Sequence, residues 1–392
     1  MSILSNIYNI SFVVWIIIGV YLLSFIIQII FYLYLFRRPY RYVSKCNNGT
    51  NKQLSEAKYP GISIVITAKN EAENLSNNLP LILEQDYPNY QIVVVNNGST
   101  DNTENVLNEL RNKYSSKIYT TYIPVDSEAV NDKKLALTIG IKAAKHEILL
   151  FTEADTKPLT NKWVKEYAQE FIKGYDVVLG GCQLRVNKGF YKKLILFGNL
   201  MFGIKYLSMA LIKKPFMGIE RNMAYRKSLF FENKGYSSIL NIEYGEDNLF
   251  INRVATNLNT SVLVSPDSMV ESNVVDSLST WRTIKGKYLI TKPHLKGYKD
   301  KVLSFEVFNR YVFYILFATI CVIGILFSAI ILIGIAITLF IIRYIVQLIV
   351  INKNSKLYNS GKYYFSLLFL DIITPILNYH FLNYEKKRNR KS

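Results

Sequence analysis

The chain has 392 residues, a formal net charge of +18 and 50% hydrophobic residues. That length holds one large globular domain with extra segments, and the excess of 47 Lys and Arg over 29 Asp and Glu calls for an anionic partner. Cys46, Cys182 and Cys321 have no metal-like spacing and no neighbouring His, which excludes a disulfide framework and fits a reducing compartment.

In chain order, Ile10 to Phe36 comes first and carries no charge over 27 residues. About 20 apolar residues span a bilayer, so this stretch reads as a retained anchor; it lacks the basic start and cleavage site of a signal peptide. Arg37, Arg38, Arg41 and Lys45 come directly after it, and the positive-inside rule then puts the region beyond Phe36 in the cytoplasm. Residues 44–60 read as a linker. Beyond them, "GISIVITAKN" predicts a buried strand and "EAENLSNNLPLILEQ" a helix with Leu75, Leu79, Ile82 and Leu83 on one face. Strand "YQIVVVNNGSTD", helix "NTENVLNELRNKY", strand "KIYTTYI", helix "EAVNDKKLALTIGIKAAK" and strand "EILLFTEAD" complete the alternation. This order predicts an α/β domain with a parallel sheet and helices on both faces. Its ligand crevice lies beyond the carboxyl ends of the strands, where "TAKNEAEN", "NNGSTD" and "EAD" meet.

The triplet Glu153-Ala-Asp155 puts two carboxylates on one side of an extended chain. In a basic protein such a pair suits Mg2+ or Mn2+, which bind carboxylate oxygen and complete their shell with water and phosphate. The alternative is a strand end that faces water. Five segments occur in order: "SIVITAKNEAENL", "QDYPNYQIVVVNNGSTDNT", "KKLALTIGIKAAKHEILLFTEADTKP", "GIERNMAYRKSLF" and "YGEDNLFINRV". Together they resemble the family 2 glycosyltransferases, inverting enzymes of GT-A fold that use nucleotide sugars.

The resemblance covers about Pro60 to Tyr298 and implies roles for single residues. Thr67, Asn70, Glu71 and Asn97 would surround the nucleoside, although Glu71 and Glu73 also suit a helix start. Asn96-Asn97 stands where the family has an acidic pair, so the uracil preference does not carry over. Asp155 matches the metal-binding Asp, assisted by Glu153 in place of a first Asp. Lys134 resembles a basic residue near the donor; its alternative is a solvated helix face. Glu220 replaces a glycine of the acceptor segment. Asp247, preceded by Glu246, matches the catalytic base, with a helix cap as its alternative. The last motif of polymerising members, Gln-x-x-Arg-Trp, lacks its Gln and Trp here. Lys285 or Lys287 would meet the diphosphate instead.

"GFYKKLILFGNLMFGIKYLSMALIKKP" reads either as an amphipathic helix on the bilayer or as a core helix. Tyr311 to Ile351 is 41 residues long with one charge, Arg343, and predicts a helical hairpin. Arg343, with Gln347 one turn on, is a functional candidate as an intramembrane charge; its alternative is snorkelling, since it lies about 12 Å from the cytoplasmic end at helical rise. Tyr363 to Leu382, with Asp371, Pro375 and His380, reads as an interfacial or re-entrant helix before the basic tail.

The domains expected are therefore an anchor at 1–36, a cytoplasmic GT-A domain at 37–308, a transmembrane hairpin at 309–351 and an interfacial helix with its tail at 352–392. The function expected is a metal-dependent, hexosyltransferase-type enzyme of cell-envelope glycan synthesis in the plasma or inner membrane. It would pass one sugar from a nucleotide diphosphate sugar to a lipid or lipid-linked acceptor. The rivals are a non-catalytic scaffold of the same fold and a small processive polysaccharide synthase. Nucleic acid is excluded as the partner, because the basic residues gather at membrane flanks and not along a stacking aromatic surface.

Overall fold

The computed structural model describes residues 12–48, 59–124, 132–187, 189–273, 275 and 277–389. The first unit runs β1 (Ile62–Ala68), α3 (Ala72–Leu83), β2 (Tyr90–Asn97), α4 (Thr103–Lys113), β3 (Ile118–Ile123), α5 (Asp132–Ala143) and β4 (Ile148–Phe151), preceded by α1 (Phe12–Ile30) and α2 (Arg38–Asn48). The second runs β5 (Thr156–Pro158), α6 (Trp163–Ile172), β6 (Val177–Gly180), β7 (Cys182–Leu184), α7 (Lys192–Leu211), β8 (Met223–Arg226) and α8 (Lys227–Glu232). Then come α9 (Asn248–Val254), β9 (Thr260–Leu263), β10 (Val270–Ser272), α10 (Leu278–Thr291), α11 (Lys299–Leu326), α12 (Ile330–Leu357) and α13 (Ser366–Asn389).

Seven strands form one sheet in the order β3-β2-β1-β4-β8-β6-β9. All its pairings are parallel except those of β8, which runs against β4 and β6. This is the mostly parallel α/β sheet that the strand and helix alternation predicts. Every residue of β2 and β4 is buried, and β1 is buried except at Thr67, as apolar runs covered on both faces must be. The chain steps outward from β1 to β2 and β3, then returns to place β4 on the other side of β1. The order reverses between β1 and β4, and a crevice opens beyond that point. A second sheet, β5-β10-β7, carries the chain on from the end of β4.

Four helical stretches are long and apolar enough to cross a membrane among the described residues: Phe12–Ser44, Lys192–Leu211, Lys299–Leu326 and Ile330–Leu357. The second of these, α7, is mostly buried inside the protein, which favours the core-helix alternative over a helix lying on a bilayer. The first helical stretch continues through a π-helical turn, Phe31–Phe36, into α2, which reaches Asn48 and so overruns the expected start of the linker. The rest of that linker up to residue 58, and the tail from residue 390, lie outside the described residues.

Snorkelling does not describe Arg343. It is fully buried and pairs with Asp371 of α13 at 3.1 Å. The same carboxylate accepts from Arg310 of α11 at 2.7 Å and from Tyr314 at 2.8 Å. Arg310 also grips Glu306, whose other contact is Lys205 of α7 at 3.5 Å. Gln28 of α1 joins both sides, accepting from Arg343 and donating to Asn309. Helices α1, α7, α11, α12 and α13 are thereby tied by one polar network. Each buried charge in it has an opposite partner, as a dry interior requires.

Candidate active site

The turns after β1 and β2 lock together. Gly98 and Asn70 both take positive φ, 62° and 58°, a region Gly and Asn tolerate. The Asn70 backbone N–H donates to Ser99 Oγ at 2.9 Å, and Asn70 Oδ1 accepts from the Thr100 N–H at 2.8 Å. Asn96 Oδ1 closes its own turn by accepting from the Ser99 N–H. Asp101 accepts from Thr103 of α4 and from the Ala72 N–H at the start of α3, so it acts as a cap for both helices. Asn97 is buried at the strand end, and Thr67 is half-buried in β1. Glu71 accepts from Asn74 at 2.5 Å. Burial lifts its carboxyl above the usual range, and the charges of Asp155, Glu153 and Asp101 add to this against the Asn74 amide.

The carboxylates after β4 are held by cations of the chain itself. Lys133, on α5, has its ammonium 2.7 Å from Glu153, 3.0 Å from Glu220 and 3.6 Å from Glu246. Burial works against its charge, but the three carboxylates more than offset that and keep it protonated. Arg221 lies 2.7 Å from the other oxygen of Glu153 and 3.1 Å from Asp155. Burial would raise the Glu153 carboxyl; Arg221, Lys133 and Lys287 overcome it and hold the carboxyl well below its usual range. Glu220 is pushed the other way, to about 8, by burial and by Glu153 and Glu246, with Lys133 opposing. A proton on Glu220 at neutral pH eases the crowding of three acids round one lysine.

Asp155 also accepts from Thr156 at 2.7 Å and Ser272 at 3.0 Å. Among the described residues no group of three His, Cys, Asp or Glu could enclose a metal ion. The donor chemistry still fits a hard divalent cation at Asp155 and Glu153 if diphosphate and water supply most of its ligands. Arg221 would then have to move off Asp155.

Asp247 stands at the N-terminus of α9. Its Oδ1 accepts from the Asn248 N–H at 2.6 Å, while Oδ2 accepts from the Glu220 N–H at 3.2 Å and the Tyr288 hydroxyl at 3.0 Å. Cap and base are thus compatible, since the carboxylate satisfies the helix end and keeps lone pairs free. Burial, with Glu246 adding repulsion, raises this carboxyl to about 6; the two backbone N–H bonds and Lys133 pull against it. A narrow cleft of about 20 Å3 is lined by Lys133, Glu153, Glu246, Asp247, Lys287 and Tyr288.

Lys134 does not reach this cleft. It is buried, and its ammonium donates to the carbonyls of Ile242 and Tyr244, so it anchors the loop that leads to Asp247. The residue facing the cleft is its neighbour Lys133, which sequence pattern alone did not single out, any more than it did Arg221 and Tyr288. Asn222, two residues past Glu220, is fully buried and bonds Trp163, Tyr167 and the carbonyls of Gly181 and Ser268. It fixes the turn that carries Glu220 and Arg221.

Residues 63–232 match the family model for Glycosyl transferase family 2. The chain is similar to a poly-beta-1,6-N-acetyl-D-glucosamine synthase of Staphylococcus epidermidis, with 34% identity over 96 residues, 24% of this chain and 22% of that protein. The synthase of Staphylococcus aureus strain COL aligns over the same length at 31% identity. The match therefore spans about a fifth of the length of these relatives. Among solved structures, the chain is similar to the mannosyltransferase PcManGT from Pyrobaculum calidifontis in complex with GDP-Man and Mn2+. That likeness has a TM-score of 0.50 and 14% identity, and covers 86% of this chain and 98% of the other. At such identity it is a likeness of fold.

Proposed function

We propose, from the premise that residues 63–232 are a family 2 glycosyltransferase domain in a chain of GT-A fold, that this protein transfers a sugar from a nucleotide diphosphate sugar to a lipid or lipid-linked acceptor, with inversion. The observation that carries the reading is the shared cleft of Asp247, Glu153, Lys133 and Lys287. It brings a buried carboxylate together with cations suited to a diphosphate.

In this reading Asp247 takes the proton of the acceptor hydroxyl as that oxygen attacks the anomeric carbon. The Glu220 N–H and the Tyr288 hydroxyl hold one of its oxygens in place. Lys133 and Lys287 lie beside the leaving diphosphate, and Arg221 steadies Glu153. Asp155, with Glu153, would hold Mg2+ or Mn2+, which when bound offsets charge on the leaving group. The turns at Asn70 and Asn97 frame the nucleoside, and the Asn pair at 96–97 leaves the choice of base open to guanine as well as uracil. The apolar helices would hold the catalytic domain at the cytoplasmic face of a membrane.

A second reading is polymer synthesis, favoured by the name of the relatives at 34% identity. Product size separates the two: single additions or a ladder of long chains. The primary test is a thermal-shift and hydrolysis screen of the purified full chain with UDP-, GDP- and dTDP-sugars, with and without Mg2+ or Mn2+. Stabilisation and turnover with one donor are expected. No binding and no hydrolysis with any donor would leave only a scaffold.

A further inference from the structure

A second cavity lies next to the site, on its side toward the apolar helices. It has a volume of about 350 Å3, and Asn248 and Tyr288 line both it and the catalytic cleft. These are the residue after Asp247 and the residue bonded to it. Lys285, Tyr288 and Leu289 on one face of α10, and Lys292 just past its end, recur at helical spacing and border the cavity. The opposite walls include Met201, Phe216, Leu303 and Pro375, from α7 to α13. The wall is mainly apolar, with polar groups at Lys285, Tyr288 and Lys292 and further ones at Lys205, Asp300 and Arg310.

The charges of this cavity do not balance. Lys292 pairs with Asp300 at 3.5 Å and Ser304 at 3.0 Å. Lys205 pairs with Glu306, which also holds Arg310. Lys285 has no such partner. It is only 8% exposed, its ammonium rests 4.4 Å from the Phe202 ring centre and 5.3 Å from that of Trp281, and no hydrogen-bond acceptor reaches it among the described residues. A buried cation without a counter-ion is costly, and an anionic ligand would relieve the cost. Lys285 and Lys292 lie about one turn to either side of Tyr288, each about 5 Å along the helix.

Resting on the glycosyltransferase reading, we propose that this cavity is the acceptor site and that it takes a phosphate-bearing lipid with a free hydroxyl. The hydroxyl meets Asp247, the phosphate lies against Lys285 with Lys205 and Lys292 beside it, and the acyl or prenyl chain runs between α7, α11 and α13. Phosphate charge supplies what Lys285 lacks, and a chain supplies what the apolar walls lack. A neutral glycan meets neither demand. Burial, and the charges of Lys205 and Lys292, push Lys285 down to about 7, in keeping with a site short of negative charge.

The test is native mass spectrometry of the full chain in neutral detergent, titrated with three probes. Phosphatidylglycerol carries phosphate, hydroxyls and chains; diacylglycerol lacks the phosphate; glycerol 3-phosphate lacks the chains. Phosphatidylglycerol is expected to bind at least tenfold more tightly than either of the others. Lys285→Met should lose at least tenfold in that affinity, Lys285→Arg should keep it, and Lys292→Met, at a more exposed position, should lose about threefold. Equal binding of phosphatidylglycerol and diacylglycerol overturns the proposal, as does full affinity in both Met variants. Glycerol 3-phosphate binding as tightly as the lipid overturns the lipid assignment. Donor hydrolysis by the same wild-type sample is read separately. If it is present while lipid preference is absent, only the acceptor inference falls; the reverse pattern leaves a lipid site and removes the transferase.

Discussion

Asp247→Asn separates the chemical role of this carboxylate from its structural one. In the wild type, Oδ1 caps α9 through the Asn248 N–H, and Oδ2 accepts from the Glu220 N–H and the Tyr288 hydroxyl. Asparagine keeps the cap with its remaining oxygen. Its amide then faces the Glu220 N–H, while the Tyr288 hydroxyl can turn to accept. One accepted bond is lost, at about 1–2 kcal/mol. Against this stands the relief of a buried charge. A carboxyl raised from 3.8 to about 6 binds its proton more tightly in the folded than in the unfolded chain. Its ionisation costs stability as pH rises across that window, by about 3 kcal/mol once above it. The relief exceeds the loss by about 1–2 kcal/mol, so the melting temperature at pH 7.5 should rise by only a few degrees. Catalysis should not survive, because a positioned base is worth about 10²–10⁴ in rate. The assay is release of nucleotide from labelled donor in membranes bearing the full chain, with donor affinity measured in parallel. Wild-type rate should climb from pH 5 and level off above about 7, since one pH unit below about 6 leaves about a tenth of the base ionised. A variant that keeps more than about a third of wild-type turnover, or a wild-type rate flat from pH 5 to 7, would refute the assignment of the base.

Lys133→Met leaves Glu153, Glu220 and Glu246 facing one another without their shared cation. Thermal or denaturant unfolding should register a loss of about 3–5 kcal/mol; an unchanged melt would count against the cage. Glu220→Gln should be more stable than wild type, by a margin that grows from pH 5 to about 8 and is constant above. The reason is that the folded chain holds the Glu220 proton up to about 8 and the unfolded chain does not; melting curves across this range decide it. Asp371→Asn strips Arg310 and Arg343 of their common counter-ion and should cost about 3–5 kcal/mol, seen as earlier unfolding in detergent. Equal stability there would mean that the spans hold together without the network.

The first half of the fold was legible because its signals are strong and local. β1 and β2 are strands of seven and eight residues built round the apolar runs 64–66 and 92–95, and turn residues follow each of them. Strands β6 to β10 have three or four residues each, too few for period to separate strand from loop. The antiparallel insertion of β8 has no local signature at all. At the site, acidic residues at strand ends and before a helix could be found by pattern, which is how Asp155, Glu153 and Asp247 came to notice. The choice between Lys133 and Lys134 could not be made that way. Adjacent residues on a helix point about 100° apart, so which lysine faces the crevice depends on how α5 sits on the sheet. Arg221 drew no attention beside the anomalous Glu220, yet the two answer each other across Glu153. The partner of Arg343 stood in plain view as Asp371, a lone acid in an apolar segment. What the sequence concealed was that α13 folds back against α11 and α12.

The apolar helices also bear on the proposed site. Glu306 and Arg310 of α11 belong to the ion network that joins the candidate spans, and Arg310 also borders the large cavity beside the base. At the far end of α13, Glu385 presses on Gly286 of α10, where an added Cβ would lie 2.4 Å from its Cγ. Helix α10 carries Tyr288, which bonds Asp247, the proposed base, and Lys285, which lacks a counter-ion. α13 therefore touches the span network through Asp371 and α10 through Glu385. A shift of α13 by even an ångström would have to move α10 or break the close approach at Gly286, because packed interiors yield by discrete rearrangement and not by compression. Gly286→Ala tests this mechanical link: the methyl must displace the Glu385 side chain at a cost of about 1–3 kcal/mol. If the two helices position the base together, turnover should fall while donor affinity holds. Loss of stability with turnover intact would show that the contact only packs the protein.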